Sequence, residues 1–233
     1  MSAPDQHIVI AIDGPAASGK SSVARALARQ LGIAYVNTGA MYRAVTWTTL
    51  RAGVASSDAE GVNALLARTC FTCGFNEDRE STFLIDGIDP TPELLKEEIN
   101  IHVSHIAAIP EVRRLLVDLQ RTYAVGVDIV MEGRDIGSVG FPETRFKFYI
   151  DASAEVRAQR RARQGLQDSI LNRDKIDSSR RASPLIIAED AHVIDSSYLT
   201  IDGVAGEIIG RLKMKGLGIA PTRSPLLHAT ASI

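Results

Sequence analysis

The stretch Ile8-Val9-Ile10-Ala11-Ile12-Asp13-Gly14-Pro15-Ala16-Ala17-Ser18-Gly19-Lys20-Ser21 decides how the rest of this 233-residue chain is read. Its first residues are apolar and mostly β-branched and run into Asp-Gly-Pro, the pattern of a buried central strand. Beyond Lys20 the period changes: Val23, Leu27 and Leu31 recur at helical spacing, and Gly32 stands where a helix would stop. Between strand and helix, residues 14–21 satisfy G-x-x-x-x-G-K-S in full. Glycines in such a loop turn backbone N–H groups toward phosphate oxygens, the helix N-terminus adds a favourable dipole, and Lys20 brings a full positive charge. Gly14, Pro15, Ala16, Ala17, Ser18, Gly19, Lys20, Ser21 and Ser22 are therefore the expected seat of a nucleoside triphosphate, ATP or GTP, with Ser21 holding its magnesium ion.

Working outward, a second strand is expected over residues 33–36, leading through Asn37-Thr38-Gly39 into a helix over 40–50 closed by Gly53. The middle differs. Residues 69–75 and 81–85 read as two short strands with turn signals at Asp86-Gly87 and Asp89-Pro90, which predicts a small antiparallel insertion over about residues 69–90. Helical patterns resume over 92–108, break at Pro110 and continue through Val112, Leu115, Leu116 and Leu119. Strands follow at 128–131 and 146–150, then a helix over 154–164, a polar segment, a strand at 192–194 and a last helix carried by Val204, Ile208 and Leu212. Five strands alternating with helices imply an α/β fold with a parallel five-stranded sheet flanked by helices. Gly216, Gly218, Pro221 and Pro225 interrupt every pattern after that, so residues 217–233 read as a loose tail.

Composition narrows the function. With 45% hydrophobic and 23% charged residues, the chain is able to bury one sizeable core. A net charge of -2 gives no general attraction to nucleic acid or to anionic membranes and points to a small substrate. No apolar run approaches the roughly 18 residues of a membrane span, and residues 1–7 lack a basic-then-apolar signal pattern, so a cytoplasmic protein is expected. Cys70 and Cys73 form a lone C-x-x-C, but on a strand residues three apart face opposite sides and cannot easily share a metal or a disulfide. They read as small strand residues. His102 and His105 share a helical spacing without the context of a zinc site and are given no catalytic role.

The phosphate loop does not separate a kinase from a switch GTPase or a regulatory nucleotide sensor, so the acceptor side has to decide. An acceptor that is itself an anion needs several cations aimed at one cleft. Arg43, Arg134, Arg173, Arg180 and Arg181 lie where strands end or loops emerge and suit that task. Glu132-Gly133-Arg134-Asp135 directly follows the apolar strand ending in Met131, at the edge where open α/β sheets bind ligands. By contrast, Arg157, Arg160, Arg161 and Arg163 share one helix beyond Glu155 and read as a solvated face.

Taken together, residues 12–20, Asn37-Thr38-Gly39-Ala40-Met41-Tyr42-Arg43, the stretch from Val103-Ser104 to Arg113, Glu132-Gly133-Arg134-Asp135-Ile136-Gly137, and the stretch from Arg173-Asp174 to Pro184-Leu185 closely resemble the bacterial cytidylate kinases. These are nucleoside monophosphate kinases of the P-loop class, and the resemblance spans nearly the whole chain. It implies a core P-loop kinase domain over residues 1–36 and 110–216, with a lid over about 165–183, and a nucleoside monophosphate-binding region over 37–109. It also implies transfer of the γ-phosphoryl group of ATP, with magnesium, to CMP or dCMP by a monomer. Lys20, Arg134 and Arg180 would be the catalytic cations. Thr38, Arg43, Arg134 and Arg180 would surround the acceptor phosphate, Ser104, Arg113 and Asp135 the cytosine, and Arg173 and Asp177 the sugar. Without the resemblance, Ser104 reads as a helix-surface residue and Arg113 as part of an amphipathic helix.

The chain departs from a common family form in having Glu132 where Asp is frequent, and Ile176 and Ser178 at lid positions that are arginine in some relatives. Arg181 is expected to compensate. A kinase for another small acceptor is the nearest alternative, against which Ser104, Arg113 and Asp135 argue. A nucleotide-dependent switch would show N-K-x-D to read guanine, and the sequence has none.

Overall fold

The computed structural model describes residues 7–163, 170–179 and 185–218, and within 170–179 the side chains of Asp174 and residues 176–179. The Arg173 side chain, Arg180 and Arg181 lie outside the described residues, as does the tail from residue 219.

The opening strand β1 (Val9–Asp13) is buried along its whole length. Alternation splits its side chains between two cores: Ile10 and Ile12 pack with one group, Val9 and Ala11 with the other. Helix α1 (Lys20–Leu31) follows the phosphate loop and ends at Gly32 in the left-handed conformation. β2 (Ala34–Asn37) leads into α2 (Thr38–Arg51), whose N-terminus is capped by the Asn37 side chain accepting the Ala40 N–H at 3.1 Å. A short helix, α3 (Ala59–Leu66), not anticipated from sequence, precedes the antiparallel pair β3 (Phe71–Phe75) and β4 (Ser81–Ile85). The expected insertion is thus a hairpin. It docks on the edge of β2 through the Tyr35 N–H donating to the Arg79 carbonyl at 2.9 Å.

The helical stretch expected at 92–108 divides into a single 3-10 turn (Thr91–Glu93) and α4 (Glu97–Ile106). Pro110 then sits in the first turn of α5 (Pro110–Thr122), where its missing N–H is harmless. β5 (Ile129–Gly133), a π-helical turn (Ile136–Gly140), β6 (Phe146–Asp151), α6 (Ala154–Arg163), α7 (Ile170–Ser179), β7 (His192–Asp195) and α8 (Ile201–Met214) complete the order. Part of the polar segment, to which no element was assigned from sequence, is helical at α7. Leu217, taken as the start of the tail, packs against the core beside α8, and its N–H donates to the Leu212 carbonyl at 3.0 Å.

The large sheet has the order β2-β5-β1-β6-β7, and every neighbouring pair is parallel. On one face, Val23 and Leu27 of α1 and Val204, Ile208 and Leu212 of α8 cover Ile10, Ile12, Val130 and Phe148. On the other, Met41 and Val45 of α2 and Val112, Leu116 and Leu119 of α5 cover Ala11, Val36 and Met131. Because the chain runs from β1 to β2 on one side and later to β6 and β7 on the other, the C-terminal ends of β1 and β5 border a crevice, the usual ligand position in such sheets.

Candidate active site

The crevice is a cleft of about 950 Å³. One end is the phosphate loop. Gly14 must be glycine because an added Cβ would stand 2.1 Å from the Ile150 carbonyl of β6. Gly19, with φ +90°, turns the chain into α1 in a conformation other residues resist. Lys20 is buried, with Nζ donating to the Pro15 carbonyl at 3.2 Å and 3.9 Å from Glu132 Oε2. The Ser21 hydroxyl donates to Glu132 Oε1 at 2.7 Å. Residues 16–22 line the cleft, whereas Gly14 and Pro15 do not reach its surface.

The other end is assembled from four elements. Thr38, at the start of α2, donates its hydroxyl to the Glu132 carbonyl at 2.8 Å, tying α2 to β5. Arg43, one turn on, reaches back to the Gly39 carbonyl at 3.1 Å. Ser104 of α4 and Arg113 of α5 are buried in the cleft wall, not on the outer helix surfaces that the unaided sequence reading suggested. The Arg113 guanidinium donates to Asp135 Oδ2 at 2.5 Å and to the Ala107 carbonyl at 3.0 Å, and lies over the Tyr42 ring at 5.3 Å. Its Nε is buried without a hydrogen-bond partner among the described residues. Arg113, Asp135 and Ser104 thus place a donor set, a carboxylate and a hydroxyl in one water-poor corner.

Between the two ends stands Arg134, whose Nε donates to Asp177 Oδ2 of α7 at 2.9 Å. Asp177, expected to face a sugar beside Arg173, is here the counter-ion of Arg134.

The arginines of α6 require a correction. Arg157 and Arg161 are buried, and Arg160 is half-buried. Arg157 donates to the carbonyls of Ala152 at 3.1 Å and Ala16 at 3.2 Å and forms an ion pair with Asp174 of α7. Arg160 donates to the Ser18 carbonyl at 3.1 Å and to the Ser196 carbonyl at 2.7 Å. The Ala16 and Ser18 carbonyls of the loop need donors, and arginines, rich in donors without acceptors, satisfy them, Arg160 from the wall of the cleft itself. Four arginines in seven residues at the carboxyl end of a sheet strand was the available signal; counting them as a helix surface missed it.

Three further residues were not singled out. Tyr35 of β2 donates to Glu132 Oε1 at 3.3 Å, and burial together with the Glu132 charge pushes its phenol pKa up, so it stays a neutral donor. Ser196, after β7, donates its hydroxyl to the Ser18 carbonyl at 2.7 Å. Asp13, the last residue of β1, is buried against the turn after β5. As for the other sequence readings, His102 bonds Ser56 at 2.8 Å away from the cleft, and Cys70 and Cys73 are free thiols, one exposed and one buried.

A parallel sheet in this order, a G-x-x-x-x-G-K-S loop at the end of its central strand and a second cationic pocket facing that loop define a P-loop phosphotransferase with two anion sites. A family model described as cytidylate kinase matches residues 10–214. Proteins named cytidylate kinase are similar over most of their length. That of Pelotomaculum thermopropionicum is 42% identical over 214 residues, covering 87% of this chain and 95% of its own. That of Desulforamulus reducens is 43% identical over 215 residues, 88% and 96%, and that of Corynebacterium efficiens 42% over 219 residues, 88% and 94%. The chain belongs to the cytidylate kinase family.

Proposed function

We propose that the chain transfers the γ-phosphoryl group of ATP to the phosphate of CMP or dCMP, giving ADP and CDP or dCDP. The observation that carries this reading beyond family membership is the buried Arg113–Asp135 pair beside Ser104, facing the phosphate loop across the cleft. An Asp acceptor and an Arg donor suit the mixed donor and acceptor edge of cytosine, and a pocket built for that edge leaves polar groups unpaired when it meets uracil.

In this reading residues 1–36 and 110–216 form the kinase core and 37–109 the acceptor region. Residues 14–22 cradle the ATP phosphates and Lys20 places its charge on the group in transfer. Thr38, Arg43 and Arg134 hold the acceptor phosphate; Arg180 and the Arg173 side chain, outside the described residues, are assigned to acceptor phosphate and sugar by the family pattern, and Arg181, likewise outside them, compensates at ATP for the lid positions held by Ile176 and Ser178. No general base is required, because a phosphate monoester has a second pKa near about 6 and is already mostly dianionic at neutral pH. Arg134 then exchanges Asp177 for the incoming phosphate, and the Asp177 carboxylate accepts from a sugar hydroxyl.

The magnesium that accompanies ATP fits the residues present: the Ser21 hydroxyl and the Glu132 carboxylate, 2.7 Å apart, are an all-oxygen pair at the loop, the donor chemistry that ion takes. Bound there, it would neutralise charge on the phosphates.

A coupled ADP-release assay across CMP, dCMP, UMP, AMP and shikimate tests the reading. CMP and dCMP are expected to support turnover far better than the others; equal rates with all acceptors, or none with any, would overturn it. With the reading goes the expectation of a monomer acting on free nucleotides in the cytoplasm, which size-exclusion chromatography and cell fractionation check. No helix among the described residues is long and apolar enough to cross a membrane.

A further inference from the structure

Asp13 belongs to neither nucleotide's set of ligands as assigned above. It is the last residue of β1, immediately before the first glycine of the phosphate loop, and only 5% exposed. Its Oδ1 accepts the backbone N–H of Ile136 and its Oδ2 that of Gly137, both at 2.8 Å. Those are the first amides of the π-helical turn, and the residues directly before them are Arg134 and Asp135. One side chain therefore ties the start of the donor loop to the two residues assigned to the acceptor. A buried carboxylate is costly, and here it is met by backbone dipoles.

We propose that Asp13 is a positioning residue for the acceptor: through the amides of Ile136 and Gly137 it fixes where Arg134 and Asp135 stand relative to the phosphate loop. This rests on the two-nucleotide reading given above. The choice of Asp over Asn follows from the geometry. Two N–H groups converge on one side chain, and a carboxylate presents an acceptor to each, whereas a carboxamide presents one acceptor and opposes its own NH2 to the other amide. Packing keeps the arrangement tight, since a Cβ on Gly137 would meet Asp13 Oδ2 at 3.4 Å and the Lys147 stem at 3.2 Å.

The charged and titratable groups that face Asp13 are Asp135 and Arg134 from the end of β5, Lys20 from α1 and Tyr149 from β6. Burial raises the Asp13 pKa to about 7; the two amides and Lys20 pull it down, and Asp135 pushes it up. Protonation turns one acceptor oxygen into a donor and loses an amide. Because the two amides favour the charged form, its protonation weakens their hold: the turn is held above about pH 7 and loosened as pH falls through that value, while burial, the larger cause of the raised pKa, makes the charged form a cost to overall stability.

The experiment begins with the native chain, whose CMP-dependent ADP release tests the functional reading by itself. If that activity is present, Asp13→Asn is compared with the native enzyme. The expected result is a KM for CMP raised by about tenfold or more, a KM for ATP within about twofold, and a lower kcat. A purely structural side chain would lower Tm without separating the two constants, so KM values that move together, or neither moving, would overturn the proposal while leaving the reading intact. Should Asp13→Asn fail to fold, binding of cytidine to the native protein without ATP decides, because the nucleoside has no phosphate to titrate. Its affinity should rise several-fold from about pH 6 to about pH 8, and a flat profile would overturn the proposal. No CMP-dependent activity in the native chain would remove the reading and the proposal together.

Discussion

The two ends of the cleft are built on different principles. The proposed donor end is one contiguous loop of the kind that meets phosphates chiefly through backbone N–H groups, its Ala16 and Ser18 carbonyls held by Arg157, Arg160 and Ser196. The acceptor end has no contiguous segment: Thr38 and Arg43 come from α2, Ser104 from α4, Arg113 from α5, and Arg134 and Asp135 from the end of β5. A backbone cradle tolerates any residue that keeps the turn, whereas a side-chain pocket is lost with any one member. On the proposed assignment, binding of a common triphosphate sits on the part of the fold least dependent on side chains, and choice of acceptor on the part most dependent on them.

The largest effect separates the ends most cleanly. In the proposed reading Lys20 is the full charge that the loop brings to the transferring group, and Lys20→Met keeps its volume in a buried position. We expect kcat to fall by roughly 10²–10³, the range seen when a preorganised electrostatic donor is removed, with the KM for CMP little changed and the fold intact by circular dichroism. Turnover within a few-fold of native would mean that the arginines, not the loop, carry the developing charge.

Next comes the acceptor pair. Arg113→Met leaves Asp135 buried without its cation, which costs about 3–5 kcal/mol when one partner of a buried pair is removed. The expected result is a lower Tm and loss of CMP-dependent turnover, with ATP binding retained. The double variant Arg113→Met, Asp135→Leu should recover much of the lost stability, because an apolar pair replaces an ion pair of similar volume. It should not recover use of CMP. If it does, the pair serves only to hold α5 against β5.

This contrast also explains what the sequence could and could not reveal. Strand, loop and helix at residues 8–31 were legible because each is a local pattern, and the five parallel strands followed from their alternation with helices. Ser104 and Arg113 were not legible on their own: helical spacing shows which face a residue occupies but not which neighbour covers that face, and α4 and α5 turn these residues into the cleft. Arg157 and Arg161 failed for the opposite reason. A run of arginines has the composition of a solvated helix, and only the carbonyls of Ala16 and Ala152 and the carboxylate of Asp174 make burial of Arg157 tolerable. Asp13 was hidden because its partners are backbone amides more than a hundred residues away, which no side-chain pattern records.

A smaller effect concerns α7, which touches both ends: Asp177 holds Arg134, and Asp174 holds Arg157 and accepts the Ala16 N–H at 3.4 Å. Asp174→Asn keeps the shape and removes the charge. A charge-assisted bond contributes about 1.5–3 kcal/mol, so α7 should open more readily. We expect faster ATP hydrolysis without CMP, as water gains access to the loop, and a KM for ATP raised a few-fold. If hydrolysis without acceptor is unchanged, the ion pair is packing and does not govern closure.

The smallest effect tests whether the donor end is as independent of side chains as the comparison says. Tyr35 and Ser21 both donate to Glu132 Oε1, at 3.3 and 2.7 Å, so the carboxylate assigned to magnesium is oriented by two hydroxyls of unequal strength. Because Tyr35 is buried with its pKa pushed up, it donates at every working pH, and Tyr35→Phe removes one long hydrogen bond with almost no change of volume. Such a bond is worth about 0.5–1.5 kcal/mol at most. The Ser21 bond remains, so Glu132 keeps its main support. The magnesium concentration at half-maximal rate should rise about twofold to fivefold, with kcat at saturating magnesium within about threefold and the KM for CMP unchanged. A loss as deep as that of Lys20→Met would show that the loop depends on a side-chain scaffold after all, since the only group removed lies on β2, outside the loop itself.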